Sequence, residues 1–164
     1  MLIDIRSDDR DLIYFVDPEK AAMMKNKKRN LTVGLTSGCF DLFHHLHLTY
    51  LQKCRRLCDV LIVGVDADDL VRETKGDNRP VIPEHQRVQV VNALECVDIT
   101  FIMGSLDDWE RAIYSFYPDI LFKNTHFKPA DVLNPLSCKV VIVPDVLQFE
   151  STTQIIDEIK KAKK

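Results

Sequence analysis

The chain has 164 residues, of which 46% are hydrophobic and 29% charged, and its formal net charge is −3. This length suffices for one domain that buries a core without metals or disulfides, and the acidic balance argues against a general nucleic-acid-binding surface. The five cysteines lie scattered in apolar context, without a secretory signal or an apolar run of ~20 residues. We therefore expect a thiol-reduced cytoplasmic protein that binds neither nucleic acid nor membranes.

The first 30 residues are expected to form an N-terminal extension packed on the main domain, which would span residues 31–164. An acidic opening at residues 4–11 is followed by a short apolar run at 12–16, a helix expected at 18–24 and a basic cluster at 25–29. The apolar run suits either an interface or the cover of a sheet edge. The basic cluster is typical of a solvated helix end.

Strands and helices alternate through the rest of the chain. Apolar runs predict strands at residues 31–35, 59–65, 99–102, 120–123 and 139–143. Helical spacing predicts a helix that opens at the histidines of residues 44–47, and further helices at 83–94, 107–117 and 151–161. Residues 66–80 read as an acidic turn and a flexible polar stretch. This alternation predicts an α/β fold, with a doubly wound, Rossmann-like parallel sheet and flanking helices.

The most informative segment is residues 37–47, with the sequence SGCFDLFHHLH, which joins the first of these strands to the helix after it. Backbone N–H groups of the turn and of the first helical turn point at one spot, where the helix dipole adds positive potential. His44 and His47 share a helix face as an i, i+3 pair, and His45 faces away from them. The segment therefore predicts a phosphate site.

Groups after the later strands suit the same ligand, because ligands of such sheets bind beyond the carboxyl ends of the strands. They are Lys75, Arg79, Arg87, Lys123, Ser151, Thr152 and Thr153. If the ligand is a nucleoside triphosphate and the second substrate carries a phosphate, the nucleophile is already an anion near neutral pH. The reaction then requires alignment, neutralisation of developing charge and usually Mg²⁺, but no general base.

Residues 37–47 resemble the Gly-x-Phe-Asp-x-x-His-x-Gly-His signature of the cytidylyltransferase-like nucleotidyltransferases, with Leu46 in the place of a glycine. Segments at 75–81, 93–98, 118–123, 127–129 and 151–156 follow in the order seen in the heptose-1-phosphate adenylyltransferase branch. The resemblance implies the nucleotidyltransferase fold and, with Mg²⁺, transfer of AMP from ATP to a heptose-type sugar 1-phosphate with release of pyrophosphate. It also implies a homo-oligomer, with a dimer expected.

The same resemblance implies roles for individual residues. His44, His47 and Lys75 would be catalytic. The nucleotide would be bound by Ser37, Gly38, Cys39, Phe40, His44, His47, Arg87, Ser151, Thr152 and Thr153. The phosphorylated acceptor would be bound by Asp41, Asp66, Arg79, Lys123 and His126. No metal site is assigned to protein side chains.

Two departures from the family pattern keep alternatives open. Leu46 would crowd the nucleotide at a typical overpacking cost of ~1–3 kcal/mol, which suggests a second hypothesis, a nucleotide-binding or regulatory protein with impaired catalysis. Residues 124–126, Asn-Thr-His, replace a glycine-rich turn near the acceptor, so the acceptor stays open. CTP-dependent transfer to glycerol 3-phosphate or a similar alcohol phosphate is the alternative within the same reaction class.

Two cysteines have the spacing of possible metal ligands, and one tryptophan lies on a predicted helix, but all three suit packing better. Cys54 and Cys58, spaced i, i+4 on a helix, are expected to be buried small hydrophobes rather than metal ligands. Trp109 is expected in the core or an interface, far from the strand ends.

Overall fold

A computed structural model describes residues 3–4, 14–16, 31–144 and 152–162. Within these ranges the strands are β1 (Ile3–Asp4), β2 (Tyr14–Val16), β3 (Val33–Gly38), β4 (Val60–Asp66), β5 (Ile99–Met103), β6 (Ile120–Asn124) and β7 (Lys139–Val143). They form one sheet in the order β1-β2-β5-β4-β3-β6-β7. Strands β3 to β7 pair in parallel, whereas β1 and β2 add to the β5 edge in antiparallel pairing.

The helices cover both faces of this sheet. They are α1 (His45–Arg55), α2 (Asp68–Lys75), α3 (Glu84–Asn92), α4 (Leu106–Phe116) and α5 (Thr152–Ala162), with a 3-10 turn at Pro129–Asp131. On one face α4 packs Trp109, Ala112 and Ile113 into a core with alternate residues of β3, β4 and β6. On the other face α1 and α3 contribute to a second buried cluster. The predicted doubly wound α/β fold is therefore confirmed.

Helix α2 is the main difference from the sequence prediction, which placed a turn and a flexible stretch at residues 66–80. The helix carries Asp68 and Asp69 in its first turn and Arg72 and Lys75 in its last, so its charges complement the helix dipole. Gly76, with φ of 90°, ends it. Its single buried side chain, Val71, explains why the hydrophobic pattern is weak.

In the apolar run at residues 12–16, the described part, Tyr14–Val16, forms a strand that covers a sheet edge. Residues Tyr14–Val16 pair with Ile99–Phe101 of β5. This pairing supplies hydrogen-bond partners to an edge that would otherwise expose unpaired backbone groups. The helix expected at 18–24 and the basic cluster at 25–29 lie outside the described residues.

The cysteines serve packing, as expected for Cys54 and Cys58. These two side chains are buried, and none of the five cysteines, all within the described ranges, forms a disulfide. Burial raises the pKa of Cys54 to about 12 and that of Cys58 to about 11, so both stay protonated thiols at neutral pH. No helix in the described ranges is long and apolar enough to cross a membrane.

Candidate active site

The strand order reverses at β3, which has β4 on one side and β6 on the other. Ligands of doubly wound sheets bind beyond the carboxyl ends of the strands at such a point. Ser37 and Gly38 end β3, Asp66 ends β4, and Lys123 lies one residue before the end of β6. The structure therefore brings these four predicted site residues to one place.

The loop from β3 to α1 has an unusual backbone. Phe40 and Leu42 have φ values of 50° and 47°, in the left-handed region, which costs a residue with a side chain on the order of 1–3 kcal/mol. Distant segments hold this loop: the Thr152 hydroxyl donates to the Asp41 carbonyl over 3.0 Å, and Arg87 donates to the Cys39 carbonyl. The Phe40 ring packs edge-on against the His47 ring, with centroids 5.5 Å apart. The loop after β3 is thus held in this conformation by contacts within the protein itself.

Asp41 joins this loop to the segment that precedes α3. Its carboxylate is 1% exposed and accepts hydrogen bonds from the backbone N–H groups of Val81 and Ile82, each over 2.9 Å, and from Arg79 Nε over 2.7 Å. Burial alone would raise the pKa of Asp41, but these three donors outweigh it and lower the pKa. Both oxygens are thus engaged within the protein, which gives Asp41 a positioning role in this loop; its predicted binding to the acceptor stays a prediction.

Arg87 also holds the loop from behind. It is 2% exposed and donates to the Ile82 carbonyl and to Asp68, each over 2.7 Å, as well as to Cys39. These contacts give Arg87 a positioning role behind the loop. Its predicted direct binding to the nucleotide stays a prediction.

Asp68 and Glu84 were not singled out from the sequence, although an acidic residue at a helix start is a known capping signal. The Asp68 N–H donates to Glu84 Oε2 over 2.6 Å, and the Glu84 N–H donates to Asp68 Oδ1 over 2.8 Å. Each carboxylate thus caps the helix that the other begins, which fixes α2 against α3. Exposed Lys75 stands at the end of α2, where its charge adds to the burial that lowers the pKa of His47 and opposes the burial that raises the pKa of Asp66.

His44 and His47 form a stacked pair at the start of α1, with ring centroids 3.9 Å apart. The backbone N–H of His44 donates to His47 Nδ1 over 3.4 Å, so the proton of the neutral His47 ring is on Nε2. The Thr152 hydroxyl gives its only proton to the Asp41 carbonyl, so in its 3.4 Å contact with His44 Nε2 the histidine is the donor. Both rings therefore carry their proton on Nε2.

Both histidines are neutral at pH 7. Burial, followed by the charges of His44 and Lys75, lowers the pKa of His47 to about 3. Burial and the neighbouring His45 also lower the pKa of His44. The pair accordingly offers directed N–H donors rather than positive charge, and the charge comes from neighbouring lysines and Arg79.

Lys123 and Asp66 lie on the α4 side of the sheet. Lys123 Nζ donates to Ser37 Oγ over 2.8 Å and stands 4.1 Å from the centroid of the Trp109 ring. Burial lowers the pKa of Lys123 to about 8, although Asp66 opposes this shift. Burial raises the pKa of Asp66 to about 6 against the nearby positive charges. Trp109 is in the core as predicted, but the expectation that it lies far from the strand ends is wrong.

The remaining predicted residues lie as follows. A side chain at position 38 would be crowded, because a Cβ on Gly38 would lie 3.1 Å from the Phe40 ring. His126 is exposed in the turn after β6, where its N–H donates to the Asn124 side chain over 3.2 Å. Ser151 and the side chain of Thr153 lie outside the described residues.

Within the described ranges, the buried side-chain nitrogen and oxygen atoms without a regular hydrogen bond are His44 Nδ1, Asp66 Oδ1 and Arg79 Nη2. An unsatisfied buried polar atom costs ~1–3 kcal/mol. All three lie at the end of β4 or in the segments that follow β3 and β4. A ligand or a bound water at this place would therefore complete their hydrogen bonds. No group of three or more His, Cys, Asp or Glu residues there, or elsewhere in the described residues, is placed to hold a metal ion.

The substitution Asp41→Asn should lower the free energy of unfolding by about 3 kcal/mol, because it leaves the Arg79 guanidinium buried without its counter-ion. Urea denaturation measures this change. The matched control is Asp69→Asn, which removes an exposed ion pair with Arg72 and should cost less than ~1 kcal/mol. Equal losses in the two variants would contradict the positioning role of Asp41.

His47 should stay neutral and protonated on Nε2 when the pH falls from 8 to 5, and two-dimensional NMR of the imidazole nitrogens measures this directly. The unfolded chain takes up a proton on this ring below pH ~6.5 while the folded chain does not, so stability is lost as the pH falls toward 3. Relative to His47→Asn, the wild type should lose up to about 1.4 kcal/mol per pH unit in that window. A titration midpoint between 6 and 7 would contradict the tautomer and its burial.

Comparison with known proteins agrees with this geometry. A sequence model of the cytidylyltransferase-like family matches residues 35–164. Proteins named bifunctional protein HldE from Desulfatibacillum aliphaticivorans and Cronobacter sakazakii are 38% and 40% identical over 151 and 149 residues, which are 88% and 87% of this chain. The chain spans only 30% of the length of either relative.

A solved structure provides a second comparison. The lipopolysaccharide core biosynthesis protein from Thermoplasma volcanium GSS1 is similar with a TM-score of 0.60 and 27% sequence identity, covering 74% of this chain and 100% of that one. The matched range of 35–164 runs from β3 to the end of the chain and includes the histidine pair. The chain therefore belongs to the cytidylyltransferase-like family.

Proposed function

We propose that this protein is a nucleotidyltransferase that transfers AMP from ATP to a heptose-type sugar 1-phosphate and releases pyrophosphate. The observation that carries the proposal is the pair of neutral histidines at the start of α1, both protonated on Nε2, beside a loop held in a left-handed conformation. Similarity to proteins named HldE and to a lipopolysaccharide core biosynthesis protein supports a sugar-phosphate acceptor.

In this reaction the protein forms no covalent bond with the substrates. An oxygen of the acceptor phosphate attacks the α-phosphorus, a new P–O bond forms, and the bond to the bridging oxygen breaks with its electron pair leaving on pyrophosphate. The attacking oxygen is already ionised near neutral pH because the second pKa of a phosphate monoester is ~6. The protein therefore acts by alignment and by stabilising negative charge in the transition state.

The histidine pair supplies directed donors for that charge. His47 Nε2–H can donate to an oxygen of the α-phosphoryl group, and His44 Nε2–H can do so when it gives up its 3.4 Å contact with the Thr152 hydroxyl. The N-terminus of α1 adds its dipole. Because both rings are neutral, they add no repulsion to Lys75 and Arg79 nearby. The free donor on Arg79 Nη2 is available to a phosphate oxygen.

Mg²⁺ would arrive with the triphosphate. The described residues offer no group of three or more side-chain ligands for it, and Mg²⁺ commonly binds through substrate phosphates and retained waters. When bound, the ion neutralises charge on the phosphate oxygens. The protein itself would contribute Lys75 and Thr152 to the binding of these phosphate oxygens. Lys75 lies at the end of α2, and Thr152 lies at the start of α5.

The substitution His47→Gln should lower kcat/KM for pyrophosphate release by ~10²–10³-fold, the usual effect of losing one transition-state donor. A coupled pyrophosphate assay with ATP, Mg²⁺ and heptose 1-phosphate measures it, and His85→Gln on the exposed face of α3 is the matched control. A wild type without turnover for ATP or CTP across sugar and alcohol phosphates would refute the proposal. Turnover with CTP and glycerol 3-phosphate alone would establish the cytidylyltransferase alternative.

Leu46 does not disturb the local structure that this reaction needs. It is half-buried at the second position of α1, the helix is regular from His45, and the bond from the His44 N–H to His47 is formed. We expect Leu46→Gly to change kcat/KM by less than about 3-fold and to cost ~1 kcal/mol of helix stability. A rise in kcat/KM of tenfold or more, with the wild type nearly inactive, would instead support the hypothesis of an impaired nucleotide-binding protein.

A further inference from the structure

Helix α1 faces the sheet with one row of side chains. The row consists of His47, Tyr50, Leu51 and Cys54, and the last three lie three, four and seven residues after His47, which is the spacing of one helix face. Leu51 and Cys54 are buried in the cluster beneath α1 and α3, and Tyr50 packs against it. A displacement of α1 along the sheet would therefore carry His47 with it.

Tyr50 links this row to the sheet by a hydrogen bond. Its hydroxyl lies 2.8 Å from Thr36 Oγ1 in β3. Thr36 is fully buried, and its hydroxyl donates to the Phe122 carbonyl in β6 over 3.1 Å. A carbonyl can only accept and a hydroxyl has one proton, so Tyr50 is the donor in its contact with Thr36. The three groups form a directed chain of hydrogen bonds from α1 through β3 to β6.

This chain lies where β3 and β6 separate. The parallel pairing of the two strands ends at Leu35 with Leu121, although both strands continue for three more residues. Thr36 and Phe122 are the first residues beyond the paired register. Ligands of doubly wound sheets bind in the crevice that opens between the strand ends at such a point. The Tyr50 hydroxyl is therefore fixed at the base of that crevice.

The contacts that orient the histidine pair are longer than the bond from Tyr50. The His44 N–H lies 3.4 Å from His47 Nδ1, and His44 Nε2 lies 3.4 Å from the Thr152 hydroxyl. Both distances are near the upper limit for a hydrogen bond, so a lengthening by a few tenths of an ångström would end both contacts. The apolar contacts of α1 are non-directional and permit such a shift. The 2.8 Å bond between Tyr50 and Thr36 opposes it.

We infer that Tyr50 is a positioning residue for the histidine pair: its hydrogen bond to Thr36 fixes α1 on the sheet and thereby fixes the position of the His47 Nε2–H. This inference rests on the proposed nucleotidyl transfer. The Tyr50 hydroxyl acts through His47 and takes no part in bond making at phosphorus. A second bond of α1, from Lys53 Nζ to the Pro144 carbonyl over 2.8 Å, is exposed, and its flexible stem constrains the helix less.

The substitution Tyr50→Phe tests the inference, because it removes the hydroxyl and keeps the ring. We expect kcat for pyrophosphate release with ATP, Mg²⁺ and heptose 1-phosphate to fall by ~10–100-fold, the effect of a small misplacement of a reacting group. The KM values for ATP and the acceptor should change by less than about 3-fold. An unchanged kcat, or a rise in KM alone, would overturn the inference.

Two controls accompany this variant. Tyr114→Phe makes the same chemical change on the exposed side of α4. Lys53→Met removes the exposed hydrogen bond of α1 and keeps most of the side chain. Both should retain the kcat of the wild type, and a loss in either as large as that in Tyr50→Phe would overturn the specific role of Tyr50.

Variants of Thr36 test whether Tyr50 acts through that residue. Thr36→Ser keeps the hydroxyl and should retain kcat within about 3-fold of the wild type, whereas Thr36→Val removes it and should lower kcat at least as much as Tyr50→Phe. The double variant should lose no more than Thr36→Val alone, because both changes remove the same hydrogen bond. Losses that multiply in the double variant would overturn the inference. If Thr36→Val does not fold by near-ultraviolet circular dichroism, Tyr50→Phe and its controls decide alone.

Two-dimensional NMR of the imidazole nitrogens distinguishes positioning from a general loss of stability and requires no turnover. Weakening of the contact at His47 Nδ1 admits the other tautomer, so the two nitrogen resonances of His47 should move toward each other in Tyr50→Phe. They should not move in Tyr114→Phe. A lower kcat in Tyr50→Phe with unchanged His47 resonances would overturn the inference, because the effect would not pass through His47.

Failure of this inference and failure of the transfer reaction have different signatures. If the wild type turns over and Tyr50→Phe behaves like Tyr114→Phe, the role of Tyr50 is refuted while the transfer stands. If the wild type releases no pyrophosphate, the transfer is refuted, and the His47 resonances decide the positioning role. Movement in Tyr50→Phe supports that role, and identical resonances in Tyr50→Phe and the wild type refute it.

Discussion

The structure of the site depends on one buried carboxylate. Asp41 receives three hydrogen bonds, from Arg79 and from the N–H groups of Val81 and Ile82, and so joins the loop after β3 to the segment before α3. Without it, the left-handed backbone at Phe40 and Leu42 would have fewer contacts to hold it against its strain. Arg87 and the Asp68–Glu84 pair extend the same support to α2. A buried negative charge thereby holds the Arg79 guanidinium beside the loop.

The histidine pair shows how backbone geometry selects a protonation state. Histidine at these positions could act as a cation, but burial and an amide donor at Nδ1 keep His47 neutral with its proton on Nε2. A neutral N–H is aimed by hydrogen-bond geometry rather than by net charge, whereas the positive charge of the site comes from Lys75, Lys123 and Arg79. In the proposed transfer, directed hydrogen bonding and general attraction for anions would be divided between different residue types.

The sequence predicted the fold well because buried parallel strands such as residues 60–66 have continuous apolar runs and α4 has a strong apolar face. Helix α2 was missed because its apolar content is low, with Val71 buried and Leu70 partly buried against the core. Ser37, Gly38, Asp66 and Lys123 were predicted to lie close together because the carboxyl ends of parallel strands meet at one edge of the sheet, and the structure places them there. The hydrogen bonds of Asp41 and Arg87 were not predicted, because sequence reports residue type but not which neighbours a side chain bonds. Trp109 reads as core by helical spacing, and only the tertiary fold brings it to Lys123.

The unpartnered buried atoms His44 Nδ1, Asp66 Oδ1 and Arg79 Nη2 have a consequence for the protein as a whole. Their loss of water occurs during folding, before any substrate is present, so the free chain is less stable than a chain with apolar groups at these positions. A substrate that binds these groups meets atoms that have already lost their water and are already oriented. Part of the free energy of binding then appears as an increase in the free energy of unfolding. Folding and ligand recognition are thus linked equilibria, and selection for one constrains the other.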